Sequence, residues 1–151
     1  MTRIIERYWP LTIALGVTWV VRHYLHTLAP AEANKIFGAF SSASLTVTTT
    51  LLGFLLTIYT IFQTITSRRK QFITQLGQLP LFNQYLVVAV WVLLATALFL
   101  LSLSFIPSDI NTASSYWRYV QLITVFTTAF SLTCSIRFIY IFLQLMGSNI
   151  D

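Results

Sequence analysis

Residues 36–67, IFGAFSSASLTVTTTLLGFLLTIYTIFQTITS, contain no charged residue and no proline. As one α-helix this run is about 48 Å long at 1.5 Å per residue, whereas a bilayer's hydrocarbon core is only about 30 Å thick. It therefore reads as a membrane-crossing helix that tilts or projects. The following residues, RRKQFITQLGQ, carry no helix breaker before Gly77 and Pro80, so projection is expected on the basic side.

The rest of the chain agrees. Of 151 residues, 56% are hydrophobic and 9% charged. A soluble domain carries about 25% charged residues, and a disordered chain is polar and charge-rich. At roughly 20 residues per span the length suits about four spans and leaves no room for a separate catalytic domain. The expected fold is all-α: a four-helix bundle integral to the membrane, one domain over residues 1–151. Spans are expected at about residues 8–28, 37–66, 82–106 and 116–146.

The first span, from Tyr8, has Pro10 placed to fit a helix's first turn. No small-x-small cleavage site follows it, so it is expected to be retained. Arg22, His23 and His26 belong at its far interface, with Arg22 snorkelling. Pro30 is expected to break the helix and AEANK to form a polar connection, with span two beginning near Ile36 or Phe37. Span three, ending before Pro107, is the most uniformly apolar and should face lipid over much of its circumference. Spans three and four carry neither glycine nor proline, unlike the broken helices of inverted-repeat transporters.

Net charge is +5, which in a membrane protein reads as a topology signal rather than a nucleic-acid footprint. Arg3 and Arg7 precede span one, and Arg68, Arg69 and Lys70 lie between spans two and three. The other two loops carry Lys35 against Glu32, and Asp109 alone. Positive-inside counting puts both termini and the Arg68–Arg69–Lys70 turn in the cytoplasm, with the long second and fourth helices projecting there.

Two polar stripes stand out. Thr46, Thr50, Gly53, Thr57, Thr60 and Thr64 recur at alternating steps of four and three, which puts them on one face of span two. Gln121, Thr124, Thr128, Ser131 and Ser135 do the same in span four. Small residues let membrane helices approach closely, so these are candidate helix seams. A hydroxyl-lined path around an oligomer axis is the alternative. Arg137 is an intramembrane charge without an acid at similar depth, either a functional group or an inner-interface anchor. Arg68, Arg69 and Lys70 are candidates for docking anionic lipid or a cytosolic protein.

Catalytic constellations are missing. His23-x-x-His26 with Glu32 lacks a dependable third metal ligand. No base accompanies the serines of the later spans, and all four acids lie in termini or loops. Cys134, the single cysteine, reads as a small packing residue. No enzyme activity, cofactor, metal or direct nucleic-acid partner is expected.

The stretch TTTLLGFLLTIYTIFQTITSRRKQF, residues 48–72, resembles a segment of small bacterial four-span proteins: a polar lead-in, LLGFLLT, an apolar run and a basic turn. Some of these are membrane subunits of anti-phage defence systems, and the KwaA family of the Kiwa system is similar in size and layout. The resemblance implies an oligomeric sensor in the bacterial inner membrane that signals to a cytosolic partner. It points to Gly53 as a packing position and to Arg68, Arg69 and Lys70 as docking positions. The expected function is a non-enzymatic homo-oligomeric sensor or scaffold, a tetramer being one fitting stoichiometry, that recruits a cytosolic effector to the lipid bilayer. The alternatives are a pore lined by the hydroxyl stripe of span two or span four, and a lipid- or quinone-binding accessory subunit.

Overall fold

The computed structural model describes residues 2–64, 79–106 and 115–147, and these are helical throughout except at residues 28–29 and 105–106. They are α1 (Thr2–Thr27), α2 (Pro30–Thr64), α3 (Leu79–Ser104) and α4 (Ser115–Gly147). Three segments are long and apolar enough to cross a membrane: Glu32–Ile61, Asn83–Ser104 and Tyr116–Leu143. The protein is thus a helical membrane protein. The 26 residues of α1 have the length for a span, but Arg22, His23 and His26 dilute its apolar run.

Two local expectations are corrected. α1 ends at Thr27, ahead of Pro30 as expected, but the next helix begins at Pro30 itself rather than near Ile36 or Phe37. The Ala29 carbonyl accepts from the Ala33 N–H at 3.0 Å, so Pro30 occupies the first helical position, where its missing N–H is not needed. AEANK is therefore the first turns of α2, and Glu32 complements the positive end of the helix dipole. Pro10, in turn, lies inside α1 and not in its first turn. It contributes no N–H to the ladder there, yet it is buried, with its carbonyl 3.4 Å from the Thr133 hydroxyl.

The helices run up, down, up, down. α4 is central: it packs against α1, against α3 and, more lightly, against α2, while α2 packs along α3. Pro10 beside Thr133 and Tyr85 beside Arg137 mark one end of the bundle. Asn34 beside Trp117 marks the other. The start of α1 and the end of α4 consequently lie at the same end.

A cluster of Leu55, Ile58, Leu86, Ala89, Leu93 and Phe138 joins α2, α3 and α4. In lipid such packing is not driven by escape from water, because acyl chains are as apolar as leucine. Close van der Waals contact and interhelical hydrogen bonds hold it instead. α3 illustrates the economy of contact: Leu86, Ala89, Leu93, Thr96 and Leu100 form one narrow buried seam, while Trp91, Leu94, Leu98 and Leu101 are exposed. So many large apolar side chains facing outward suit a lipid surround.

Candidate functional site

The two hydroxyl stripes have opposite fates. On α4, Gln121, Thr124, Thr128, Ser131 and Ser135 are all buried. A helix that touches three others needs small side chains where they meet, and threonine and serine supply them. Their donors are mostly satisfied locally: Thr124 donates to the Val120 carbonyl at 2.8 Å, Ser131 to Thr128 at 2.9 Å and Ser135 to Ser131 at 2.8 Å. Thr128 is the exception. Its buried Oγ1 has no hydrogen-bond partner.

On α2, Thr46, Thr50, Gly53, Thr57 and Thr60 are exposed. Thr64 ends the helix, and its side chain lies outside the described residues. The hydroxyls fold back onto their own helix. Thr46 donates to the Ser42 carbonyl at 3.1 Å, Thr50 to Thr46 at 2.8 Å, Thr57 to Gly53 at 2.9 Å and Thr60 to Leu56 at 2.9 Å. A Cβ placed on Gly53 would meet nothing within 4 Å. The face that α2 turns inward carries Ala33, Phe37, Ser44, Thr48, Leu55 and Ile58. It lies two residues out of phase with the threonine stripe, a rotation of about 200° at 3.6 residues per turn.

Asn34 joins α2 to α4. Its Oδ1 accepts from Trp117 Nε1 at 2.9 Å and from Gln121 Nε2 at 3.1 Å. The Trp117 ring also meets Phe37 edge-on, centroids 5.7 Å apart. Sequence reasoning left Asn34 in a connection. The available signal was the i, i+4 spacing of Trp117 and Gln121, which gives α4 two donors on one face in need of an acceptor.

Arg137 is half-buried and held by α3. Its Nη2 donates to the Tyr85 hydroxyl at 3.0 Å, and its guanidinium carbon lies 4.4 Å from the centre of the same ring. The pair borders a cleft of about 450 Å³ that also includes Tyr8, Gln84 and Cys134.

A second groove, of about 430 Å³, opens between α1, α2 and α4 because α1 packs on α4 and makes little contact with α2. Val17, Leu25, Phe37, Phe40 and Leu132 make its walls apolar, and Thr128 lines it. Arg22 and Arg118, both exposed, line a small and mostly apolar recess that shares Leu25 with the groove. Arg68, Arg69 and Lys70 lie outside the described residues. Among the described residues no three of His, Cys, Asp and Glu come together to hold a metal. No family model, no curated protein and no solved structure matches this chain.

Proposed function

We propose that this protein is a non-enzymatic, four-span scaffold of the bacterial inner membrane that self-associates through the outward face of α2. The observation that carries this reading is the uncovered stripe of Thr46, Thr50, Gly53, Thr57 and Thr60. Its hydroxyl donors are already satisfied within the helix, so a second helix can approach without stranding a polar group. Small residues at this spacing let two backbones come close.

Placement of α1 as the fourth span is supported by two aromatic girdles. Trp19, Tyr24, Tyr116 and Tyr119 are exposed at one end of the bundle, and Tyr8, Tyr59 and Tyr140 towards the other. Tyr119 and Tyr140 are about 32 Å apart along α4, close to the hydrocarbon thickness, and such belts mark interfaces. The charge bias of the loops supports both termini inside.

Arg68, Arg69 and Lys70 then offer a cytoplasmic docking site for a soluble effector. The likeness of residues 48–72 to membrane subunits of anti-phage defence systems supports a sensing role. A pore lined by the same α2 face is the second reading, favoured by exposed hydroxyl oxygens that can still accept hydrogen bonds from water.

The mass of the purified complex in detergent tests the scaffold. A discrete homo-oligomer that Gly53→Leu or Thr57→Leu reduces to monomer is expected, and a wild-type monomer overturns the reading. Alanine at Arg68, Arg69 and Lys70 should abolish co-purification of the effector without changing that mass. Conductance across a planar bilayer, altered by Thr60→Leu, would favour the pore.

A further inference from the structure

We infer that the groove between α1, α2 and α4 is a binding site for one anionic phospholipid. An acyl chain lies along the apolar walls, and the phosphate sits between Arg22 and Arg118. The inference goes beyond the scaffold reading and borrows from it only the placement of α1 in the bilayer.

Three observations converge. The first is shape and polarity. Val17, Val21, Leu25, Phe40, Val125 and Leu132 line an open trough of about 430 Å³, and a trough open to the membrane fills with chains of matching polarity.

The second is charge. Arg22 and Arg118 line one recess together with Leu25 and Leu122, and no carboxylate among the described residues forms an ion pair with either. Their alkyl stems line the recess and both residues are exposed, so the two positive charges on adjoining helices favour an anion placed between them. Arginine's planar fork matches phosphate oxygens two at a time.

The third is position. Leu25 lines both the recess and the groove, so headgroup and chain sites are continuous. Exposed Tyr24, Tyr116 and Tyr119 mark the same end as interfacial. Two arginines beside an apolar groove at headgroup depth match the charge and the chain of an anionic lipid.

The test uses the full-length protein, delipidated in detergent and examined by native mass spectrometry. The probes are phosphatidylglycerol, phosphatidylcholine and inorganic phosphate. One phosphatidylglycerol per chain should be retained, at least tenfold more tightly than phosphatidylcholine. Inorganic phosphate should not displace it. The double variant Arg22→Gln/Arg118→Gln should lower phosphatidylglycerol binding at least tenfold, and Arg22→Lys/Arg118→Lys should restore part of it. Val17→Phe, which fills the trough from an exposed position, should weaken binding while leaving both arginines in place.

Equal retention of the two lipids overturns the inference, as does unchanged binding in the double glutamine variant. Full displacement by inorganic phosphate overturns the chain site. If Val17→Phe lowers the oligomer mass and leaves lipid binding untouched, the trough seats a second copy and the inference also falls. Helicity of each variant by circular dichroism separates loss of the site from loss of the fold. Because binding is read in detergent, failure of the four-span reading in a topology assay is distinguishable from failure of the lipid site.

Discussion

The guanidinium of Arg137 on α4 stands 4.4 Å from the centre of the Tyr85 ring on α3 and donates to that residue's hydroxyl at 3.0 Å. Among the described residues no acid pairs with this cation, and Tyr85 holds it instead. The ring face supplies electrostatic attraction, the phenol oxygen accepts one of five guanidinium protons, and Arg137 also lines the cleft that opens beside Tyr8 and Gln84.

Tyr85→Phe keeps the ring and removes the hydrogen bond, so it should lower stability by about 1 kcal/mol. Tyr85→Leu removes both contacts and should lower it by about 2 kcal/mol. Thermal unfolding in detergent measures both. In a double-mutant cycle with Arg137→Met, the two sites should couple by about 1–2 kcal/mol. Additive effects would show that Arg137 is held by other groups.

Asn34→Leu should destabilise by about 1–3 kcal/mol, because the indole N–H of Trp117 and the amide of Gln121 both lose their acceptor. Adding Gln121→Leu removes one of the stranded donors and should recover part of that loss. Denaturant or thermal midpoints of the two variants provide the comparison, and a double variant no better than the single would contradict it.

Thr128→Val replaces a buried, unpartnered hydroxyl with a methyl of similar size. Midpoints should stay level or rise by the equivalent of about 1 kcal/mol. Ser131→Val should do the reverse. Ser131 is fully buried at a helix contact, and extra methyl groups there force the helices apart at a cost of about 1–3 kcal/mol. A clear loss on Thr128→Val would mean that the hydroxyl has a partner in the membrane.

Thr48 and Thr50 sit two residues apart on opposite faces of α2, the first fully buried and the second exposed. Thr48→Phe should therefore unfold the bundle, as read by loss of cooperative melting. Thr50→Phe should leave melting of the monomer intact and change only the mass of the complex. Equal effects from the two substitutions would refute the assignment of faces.

These two threonines also mark the limit of what could be read in one dimension. Four of the five residues of TVTTT, all but Val47, are threonine, and more than one phase through it gives a period near 3.5. The stripe of Thr46, Thr50, Gly53, Thr57, Thr60 and Thr64 is visible as a pattern, but so is one through Ser44 and Thr48. Nothing local says which faces α3. The α4 stripe from Gln121 to Ser135 is equally visible, and its burial follows from α4 being the helix that the others surround. Asn34 escaped notice because its acceptor role depends on donors more than eighty residues away. Arg22 and Arg118 read separately as interface anchors, and only the antiparallel packing of α1 on α4 makes them neighbours.

The sequence by itself determined the helical class, the approximate helix extents and the membrane setting, because each follows from runs of apolar residues and from the breakers and charges that bound them. Those are local properties, set by backbone hydrogen bonding and by the energy of placing a charge in lipid. Only the tertiary structure decided which hydroxyl face is buried, which aromatic ring holds Arg137, and where α1 leaves a groove. Those depend on the rotation of each helix about its own axis, and in lipid, where apolar contact with a neighbour differs little from apolar contact with an acyl chain, that rotation is set by packing between helices rather than by hydrophobicity along the chain.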